Sequence, residues 1–132
     1  MASIQNILFA VGRRKTSIAR ARLVPGTGKI FVNEQPHFEY FPVVSVQNEL
    51  YKPFAATETQ CKYDVHAIVD GGGLSGQAGA LKLAIARALV KEGEEMRPRL
   101  RAAGVLTRDP RMVERKKYGR KKARKRFQWT KR

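Results

Sequence analysis

Three glycines near the middle of the chain carry the most enzyme-like pattern in the sequence. Gly71, Gly73 and Gly76 fit the spacing G-x-G-x-x-G and stand between a predicted strand and a predicted helix, where a dinucleotide-binding motif would stand. The pattern fails further on, because another predicted helix follows and no second parallel strand completes the unit. A structural alternative is that these glycines and Gly72 supply positive φ angles. They would then let a helix start, with Ser75 as its N-cap, approach a neighbouring backbone or a bound phosphate.

Other catalytic or metal-binding arrangements have little support. His37 and His66 stand far apart with no Cys, Asp or Glu at ligand spacing, and Cys61 is the one cysteine. Ser75 lies in GGLSGQ, which lacks the G-x-S-x-G pattern of a hydrolase nucleophile. No pair of carboxylates is marked out for acid and base chemistry. We therefore predict no metal, no cofactor, no small-molecule substrate and no enzymatic activity, and the single cysteine fits a reducing compartment.

The last eighteen residues offer a different chemistry, the binding of a polyanion. Residues 115–132 contain eleven Lys or Arg, no acid, and the aromatic residues Tyr118, Phe127 and Trp129. So many like charges repel one another and bury little apolar surface, which predicts an extended arm rather than a packed element. Because cations neutralise phosphates and aromatic rings stack on unpaired bases, this composition indicates nucleic acid binding.

Basic residues also stand outside this arm. The 132-residue chain has a formal net charge of +16 and a pI near 10.7, which favours nucleic acid, an anionic membrane surface or an acidic protein as partner. A membrane is the weakest of these, because no apolar stretch approaches the roughly 20 residues of a bilayer span. Arg13, Arg14 and Lys15, at a break between strand patterns, form a cluster that we predict to bind phosphate. Arg20 and Arg22 fit either binding or solubility, and both RNA and duplex DNA stay open as the partner.

Strand patterns come first among the elements that must position these cations. Ser17 to Val24 and Tyr63 to Val69 place small or apolar residues at the odd positions, and Lys29 to Asn33 is a second short strand pattern. Pro25 to Gly28 has turn composition. We therefore predict that residues 17–33 form a β-hairpin.

Three helices are predicted, the first two from apolar residues at helical spacing and the third from two acids at its start and a glycine at its end. The first runs from about Pro42 to Tyr51 and is ended by Pro53, the second runs from Gln77 to a stop at Gly93, and the third covers about Glu94 to Ala103 before Gly104. The apolar stripe of the second helix consists of Leu81, Ala84, Ile85, Ala88 and Leu89. Helical and extended structure both fit Phe38, Tyr40 and Phe41.

These patterns together predict strands and helices within one globular RNA-binding domain, residues 1–104, followed by a long extended basic C-terminal tail, residues 105–132. A length of 132 residues suits one such domain with an appendage.

Several long motifs resemble one known family, the bacterial-type small-subunit ribosomal protein S9, or uS9. They are GRRKTSIARARL from Gly12, GTGKIFVN from Gly26, GGGLSGQAGAL from Gly71, LTRDPRMVERKKYGRKKARK from Leu106, and the terminal TKR. The resemblance implies an α+β fold, a small two-layer domain with a mixed β-sheet and packed helices, like the second domain of ribosomal protein S5. It also implies a structural role in the small ribosomal subunit, supporting translation.

The resemblance further implies the partners and the residues that meet them. The globular part would bind 16S-type rRNA of the subunit head beside neighbouring head proteins, and the end of the tail would reach the anticodon stem-loop of P-site tRNA. The residues that would bind tRNA are Trp129, Thr130, Lys131 and Arg132. Those that we expect to bind rRNA are Arg13, Arg14, Lys15, Arg108, Arg111, Arg115, Lys116, Lys117, Tyr118, Arg120, Lys121, Lys122, Arg124, Lys125 and Arg126.

The chain departs from the family pattern at its end. Family members usually end in Ser-Lys-Arg after Phe or Tyr, whereas this chain has Thr130 and Trp129, which keep a hydroxyl and a stacking face. The sequence LVPGTGK resembles cyanobacterial and plastid members. The implied location is the ribosome, in the plastid stroma or the bacterial cytoplasm, with the plastid favoured.

Overall fold

A computed structural model describes residues 7–60 and 62–108, and the structural statements below concern this part of the chain. It contains one mixed β-sheet and packed helices, which confirms the predicted α+β class. Cys61 and residues 109–132, with the predictions made for them, lie outside the described residues. None of the helices in the described ranges combines the length and apolar character that a bilayer span requires.

The described residues form ten elements. The strands are β1 (Leu8–Arg14), β2 (Ser17–Pro25), β3 (Ile30–Val32), β4 (Gln35–Pro36) and β5 (Tyr63–Asp70). The helices are α1 (His37–Tyr40), α2 (Val44–Glu49), α3 (Lys52–Thr57), α4 (Leu74–Glu92) and α5 (Met96–Ala102).

The strands make one sheet in the order β1-β2-β5-β3-β4. The β1/β2, β2/β5 and β3/β4 pairs are antiparallel, whereas β3 and β5 are parallel. In β2 the odd positions from Ser17 to Leu23 are buried, and in β5 Val65, Ala67 and Val69 are buried. The predicted alternation of both strands is confirmed, because one face of the sheet is covered by α4 and the other is exposed.

The predicted hairpin over residues 17–33 is wrong. Strand β5 lies between β2 and β3, so the two segments of that hairpin never pair. The turn between them closes on β5 instead, where Asp64 Oδ1 accepts hydrogen bonds from the backbone N–H groups of Thr27, Gly28 and Lys29, each at 3.0 Å. The hairpin that does form joins β1 to β2, with Arg14 paired to Ser17 across the turn.

Helix α4 lies across the sheet and forms the second layer. All five residues of the predicted stripe are buried, and Gly93 ends the helix as predicted. Gly12 of β1 lets the helix come close, since a Cβ added there would lie 2.1 Å from the carbonyl oxygen of Ala80. Arg87 Nη1 donates to the carbonyl of Val11 at 2.8 Å, and Lys91 Nζ donates to that of Phe9. Helix α4 thereby also covers backbone carbonyl groups at the edge of β1, which pair with no strand in the described residues.

The segment before β5 is divided more finely than predicted. Instead of one helix from about Pro42 to Tyr51, the chain forms α1, α2 and α3, and Phe41 between α1 and α2 is extended. Pro53 does not simply stop a helix. It occupies the first turn of α3, where proline is tolerated because that N–H has no helical acceptor.

The last helix largely matches its prediction. Helix α5 occupies Met96–Ala102, within the predicted range, and Gly104 follows it with a φ of +74°. The buried side chains of Leu100 and Val105 join the core on either side of this turn. Beyond this turn the described chain continues to Arg108.

Candidate nucleic-acid interface

The glycine-rich turn before α4 is held against the β1–β2 turn. Gly71 and Gly72 have φ angles of +75° and +63°, and a Cβ on Gly71 would lie 2.5 Å from the Thr16 carbonyl oxygen. Ser17 Oγ and Gln77 Nε2 both donate to the Gly71 carbonyl at 3.0 Å. Both glycines therefore have the positive φ angles that the structural interpretation expects, but only Gly71 lies close to a backbone atom, because the nearest neighbours of Gly72 are the side chains of Thr16 and Ser17.

The remaining members of the motif have separate roles. Gly76 allows close packing, since its Cβ would lie 2.9 Å from Ser17 Oγ, whereas Gly73 has neither a positive φ nor a close neighbour. Gly73 is the N-cap of α4, so the prediction that Ser75 caps the helix is wrong. The extended backbone of Gly73 already ends the preceding turn, which puts Ser75 inside the first helical turn.

The start of α4 is an exposed, electropositive helix end. Gly73, Leu74 and Ser75 are exposed, and no side chain caps the helix. The first internal bond is donated by the Gln77 N–H to the Gly73 carbonyl. The N–H groups of the preceding residues have no helical acceptor and, with the dipole of a 19-residue helix, favour an anion at this end.

The β1–β2 turn brings the predicted basic cluster beside this helix end. Arg13 and Lys15 are exposed, and Lys15 has a φ of +53°, which is unfavourable for a residue with a side chain. Arg14 runs along α4 at Gly79, where a Cβ would lie 2.4 Å from its Cδ. Gly79 therefore provides the space through which Arg14 passes.

A cleft of about 660 Å³ unites residues that are far apart in the sequence. Its walls come from the end of β1, from α2, from the first half of α4 and from the segment after α5. The predicted site residues that line it are Arg13, Arg14, Ser75 and Arg108. Lys15 is exposed on the adjoining turn but is not among the lining residues.

Two lysines that the sequence did not single out also line this cleft. Lys82 and Lys52 bind Glu49, with Nζ to carboxylate distances of 2.9 and 2.6 Å. The hydrogen bond from Lys52 lowers the pKa of Glu49, and Lys82 adds to the effect. The carboxylate therefore stays ionised, and the lysines balance its charge. The one signal available in the sequence was that Lys82 lies off the apolar stripe of α4.

The cleft consequently has a strong excess of positive charge. Among the described residues, Glu49 is the one acid in its wall, against the cations Arg13, Arg14, Lys52, Lys82 and Arg108. Arg20 and Arg22 do not join it, because they lie on the exposed face of the sheet away from α4. The predicted site residues from Arg111 onward lie outside the described residues.

The described part of the chain forms neither a metal-binding site nor a dinucleotide-binding βαβ unit. Residues 7–60 and 62–108 hold no group of three His, Cys, Asp or Glu that could bind a metal ion. After the glycine turn, α4 leads into α5 rather than into a strand parallel to β5 within these residues. What the geometry does offer is a wide basic cleft at a helix start, which suits phosphate groups on a polymer.

Comparison with known proteins agrees with that chemistry. The family model described as ribosomal protein S9/S16 matches residues 12–132. The small ribosomal subunit protein uS9 of Chlorobaculum parvum is 54% identical over 129 residues, which cover 98% of this chain and 100% of that protein. The uS9 proteins of Chlorobaculum tepidum and Chlorobium limicola cover the same shares at 54% and 50% identity. The chain therefore belongs to the ribosomal protein S9/S16 family in its bacterial-type form, and is a structural, non-enzymatic constituent of the small ribosomal subunit, with rRNA and ribosomal proteins as its partners.

Proposed function

We propose that the chain binds 16S-type rRNA of the subunit head through the basic cleft and the C-terminal tail, and that the end of the tail reaches P-site tRNA. The observation that carries the rRNA part is the cleft itself. It gathers Arg13 and Arg14 from β1, the start of α4, and Arg108 from the far end of the described chain. Arg108 also stands where the strongly basic sequence begins, so cleft and tail would form one continuous track for the phosphate backbone.

Phosphate contacts would supply most of the affinity along this track. The proposed rRNA-binding residues beyond the cleft are Lys15, Arg111, Arg115, Lys116, Lys117, Tyr118, Arg120, Lys121, Lys122, Arg124, Lys125 and Arg126. Each cation that meets a phosphate releases counterions, so the logarithm of the affinity falls with the logarithm of the salt concentration by roughly 0.7 to 0.9 per contact. We also propose that residues 1–104 form the globular domain and that residues 105–132 form the tail.

A charge-matched pair of variants tests the cleft. The double variant Arg13→Gln, Arg108→Gln removes two cleft cations, and the control Arg99→Gln, Arg101→Gln removes two exposed cations of α5 outside the cleft. Binding to protein-free small-subunit rRNA is measured by filter retention from about 0.1 to 0.5 M salt. We expect the cleft variant to lower the salt slope by roughly 1.5 and the control to leave it unchanged. Equal slopes for the two double variants would contradict the role of the cleft.

The tip of the tail, from Trp129 to Arg132, is the segment that we propose for tRNA. Its aromatic ring, hydroxyl and two cations suit stacking and phosphate contacts at the anticodon stem-loop. Deleting Thr130 to Arg132 should leave the protein in the subunit and weaken P-site tRNA binding, whereas Thr130→Ser should retain full affinity. Unchanged tRNA affinity in subunits that carry the deletion would count against this assignment.

Co-sedimentation separates rRNA from the alternative, duplex DNA. We expect the chain in a lysate to migrate with small subunits at moderate salt, and migration with DNA would favour the alternative. The relatives named above come from bacteria, whereas LVPGTGK resembles plastid members. The plastid stroma and the bacterial cytoplasm therefore both stand as proposals for the location of the ribosome that contains this chain.

A further inference from the structure

The face of the sheet opposite α4 takes no part in the cleft. Along each strand the residues that point away from the core lie on this outer face, and two large apolar residues are strongly exposed there. Phe9 of β1 is 45% exposed and Ile68 of β5 is 64% exposed. Burying such side chains would be favourable, which indicates that the outer face meets a partner.

One row of side chains crosses four strands of this face. The strand register pairs Phe9 with Arg22, Arg22 with His66, and His66 with Phe31. Because neighbouring strands lie about 4.8 Å apart, the row is roughly 14 Å long. It runs along the floor of a shallow depression of about 490 Å³.

The rings of this row are already arranged for stacking. Phe31 and His66 are stacked, with ring centroids 5.3 Å apart and planes 11° from parallel. The carbonyl of Phe9 accepts a hydrogen bond from Lys91, which fixes the strand at the other end of the row. An exposed sheet with aromatic residues of this kind can stack two or three unpaired bases.

Charge favours RNA over a protein as the occupant. Arg20 and Arg22 stand two residues apart on the same side of β2, so both guanidinium groups project over the depression. Neither forms an ion pair with another residue in the described ranges, and Glu34 is the one acid in the wall. An apolar protein surface would leave both arginines without a counter-charge, whereas a nucleotide chain supplies bases and phosphates together.

We propose that the outer-face row binds one or two unpaired nucleotides of rRNA, with bases stacked on Phe9 and on the Phe31–His66 pair and with phosphates on Arg20 and Arg22. This second RNA site rests on the proposed function, because it assumes that rRNA is the main partner. This site lies on the face of the sheet that points away from α4. The globular domain would therefore be held between RNA segments on two sides.

Equilibrium binding of the full chain to a 12-nucleotide oligouridine provides the first test. Phe9→Ala and His66→Ala should each weaken binding by roughly 5- to 150-fold while leaving the salt slope unchanged, because a base stack carries no charge. His66→Phe should restore the affinity. Phe38→Ala is the matched control, since Phe38 is 56% exposed but belongs to α1 and does not line the depression. Far-UV circular dichroism verifies that each variant is folded.

Reconstituted small subunits locate the site and separate the two proposals. Wild-type protein should protect a few unpaired rRNA bases from dimethyl sulfate that Phe9→Ala and His66→Ala leave reactive, and Phe38→Ala should protect them fully. If the wild-type chain enters the subunit and these variants change neither protection nor oligouridine affinity, the outer-face site is refuted while the cleft stands. Chemical crosslinks from this face to another protein would refute it as well. A wild-type chain that protects no rRNA would overturn the proposed function itself.

Discussion

Replacing Gly12 by alanine tests the closest contact between the two layers of the domain. The added Cβ would lie 2.1 Å from the Ala80 carbonyl oxygen and 2.5 Å from the Ala84 amide nitrogen, where ordinary contacts begin near 3.4 Å. Both atoms belong to the backbone of α4, so no side chain can rotate away. The helix must therefore move from β1 by about 1.3 Å, and the packing along the whole contact must change with it.

The expected cost is large relative to the stability of a small domain. Overpacking a core costs about 1 to 3 kcal/mol, and a backbone contact places Gly12→Ala at about 3 kcal/mol. A domain of roughly 100 residues is stable by about 5 to 15 kcal/mol in all. Urea unfolding of the full chain, followed by far-UV circular dichroism, measures the loss as a lower midpoint at unchanged slope.

Two other glycines serve as matched controls for the same substitution. Gly104 has open space around it but a φ of +74°, so alanine there should cost about 1 to 2 kcal/mol through backbone strain alone. Gly73 has neither a close neighbour nor a positive φ, and alanine there should cost about 0.5 to 1 kcal/mol, because Gly73 is the N-cap of α4 and alanine is a poorer cap than glycine. A Gly12→Ala variant within about 0.5 kcal/mol of the wild type would refute the described packing of α4 on β1.

Further substitutions probe the turns and the cleft. Three backbone N–H groups lower the pKa of Asp64, so the stabilisation that the carboxylate provides is complete above about pH 4 and is lost as the pH falls through the lowered pKa. Asp64→Asn should therefore lower the free energy of unfolding by about 1 kcal/mol at pH 7, measured in urea, and this difference should shrink in acid. Glu58 ends α3 with a φ of +56°, so Glu58→Gly should raise the free energy of unfolding by about 0.5 kcal/mol, and a loss would contradict this geometry. Gly79→Ala should displace Arg14 and lower the salt slope of rRNA binding by roughly 0.7 to 0.9; an unchanged slope would place Arg14 outside the binding track.

The sequence predicted the elements whose pattern is local. Strands β2 and β5 alternate, and α4 keeps its apolar stripe, because each of them buries one face against the other layer. The hairpin prediction failed because the partner of β2 is chosen by a contact distant in sequence. Asp64 binds the turn after Pro25, and this draws β5 between the two segments that the turn seemed to join.

The candidate site was predictable in composition but not in arrangement. The residue types predict Arg13 as a phosphate-binding cation and the family resemblance implies Arg108 as another, yet only the fold places them in the same cleft. Sequence patterns do not mark out Lys82, because a lysine on the polar side of a helix is ordinary and its partner Glu49 lies 33 residues away in sequence. The register that aligns Phe9, Arg22 and His66 across the sheet likewise depends on strand pairing, which no local pattern encodes.

A cryo-electron microscopy reconstruction of the small ribosomal subunit containing this chain would show directly whether rRNA occupies the cleft. We expect rRNA density there, with phosphate oxygens within about 3 Å of the Arg13 and Arg108 guanidinium groups and of the backbone N–H groups at the start of α4. A cleft that faces solvent, or one that is filled by another ribosomal protein, would contradict it.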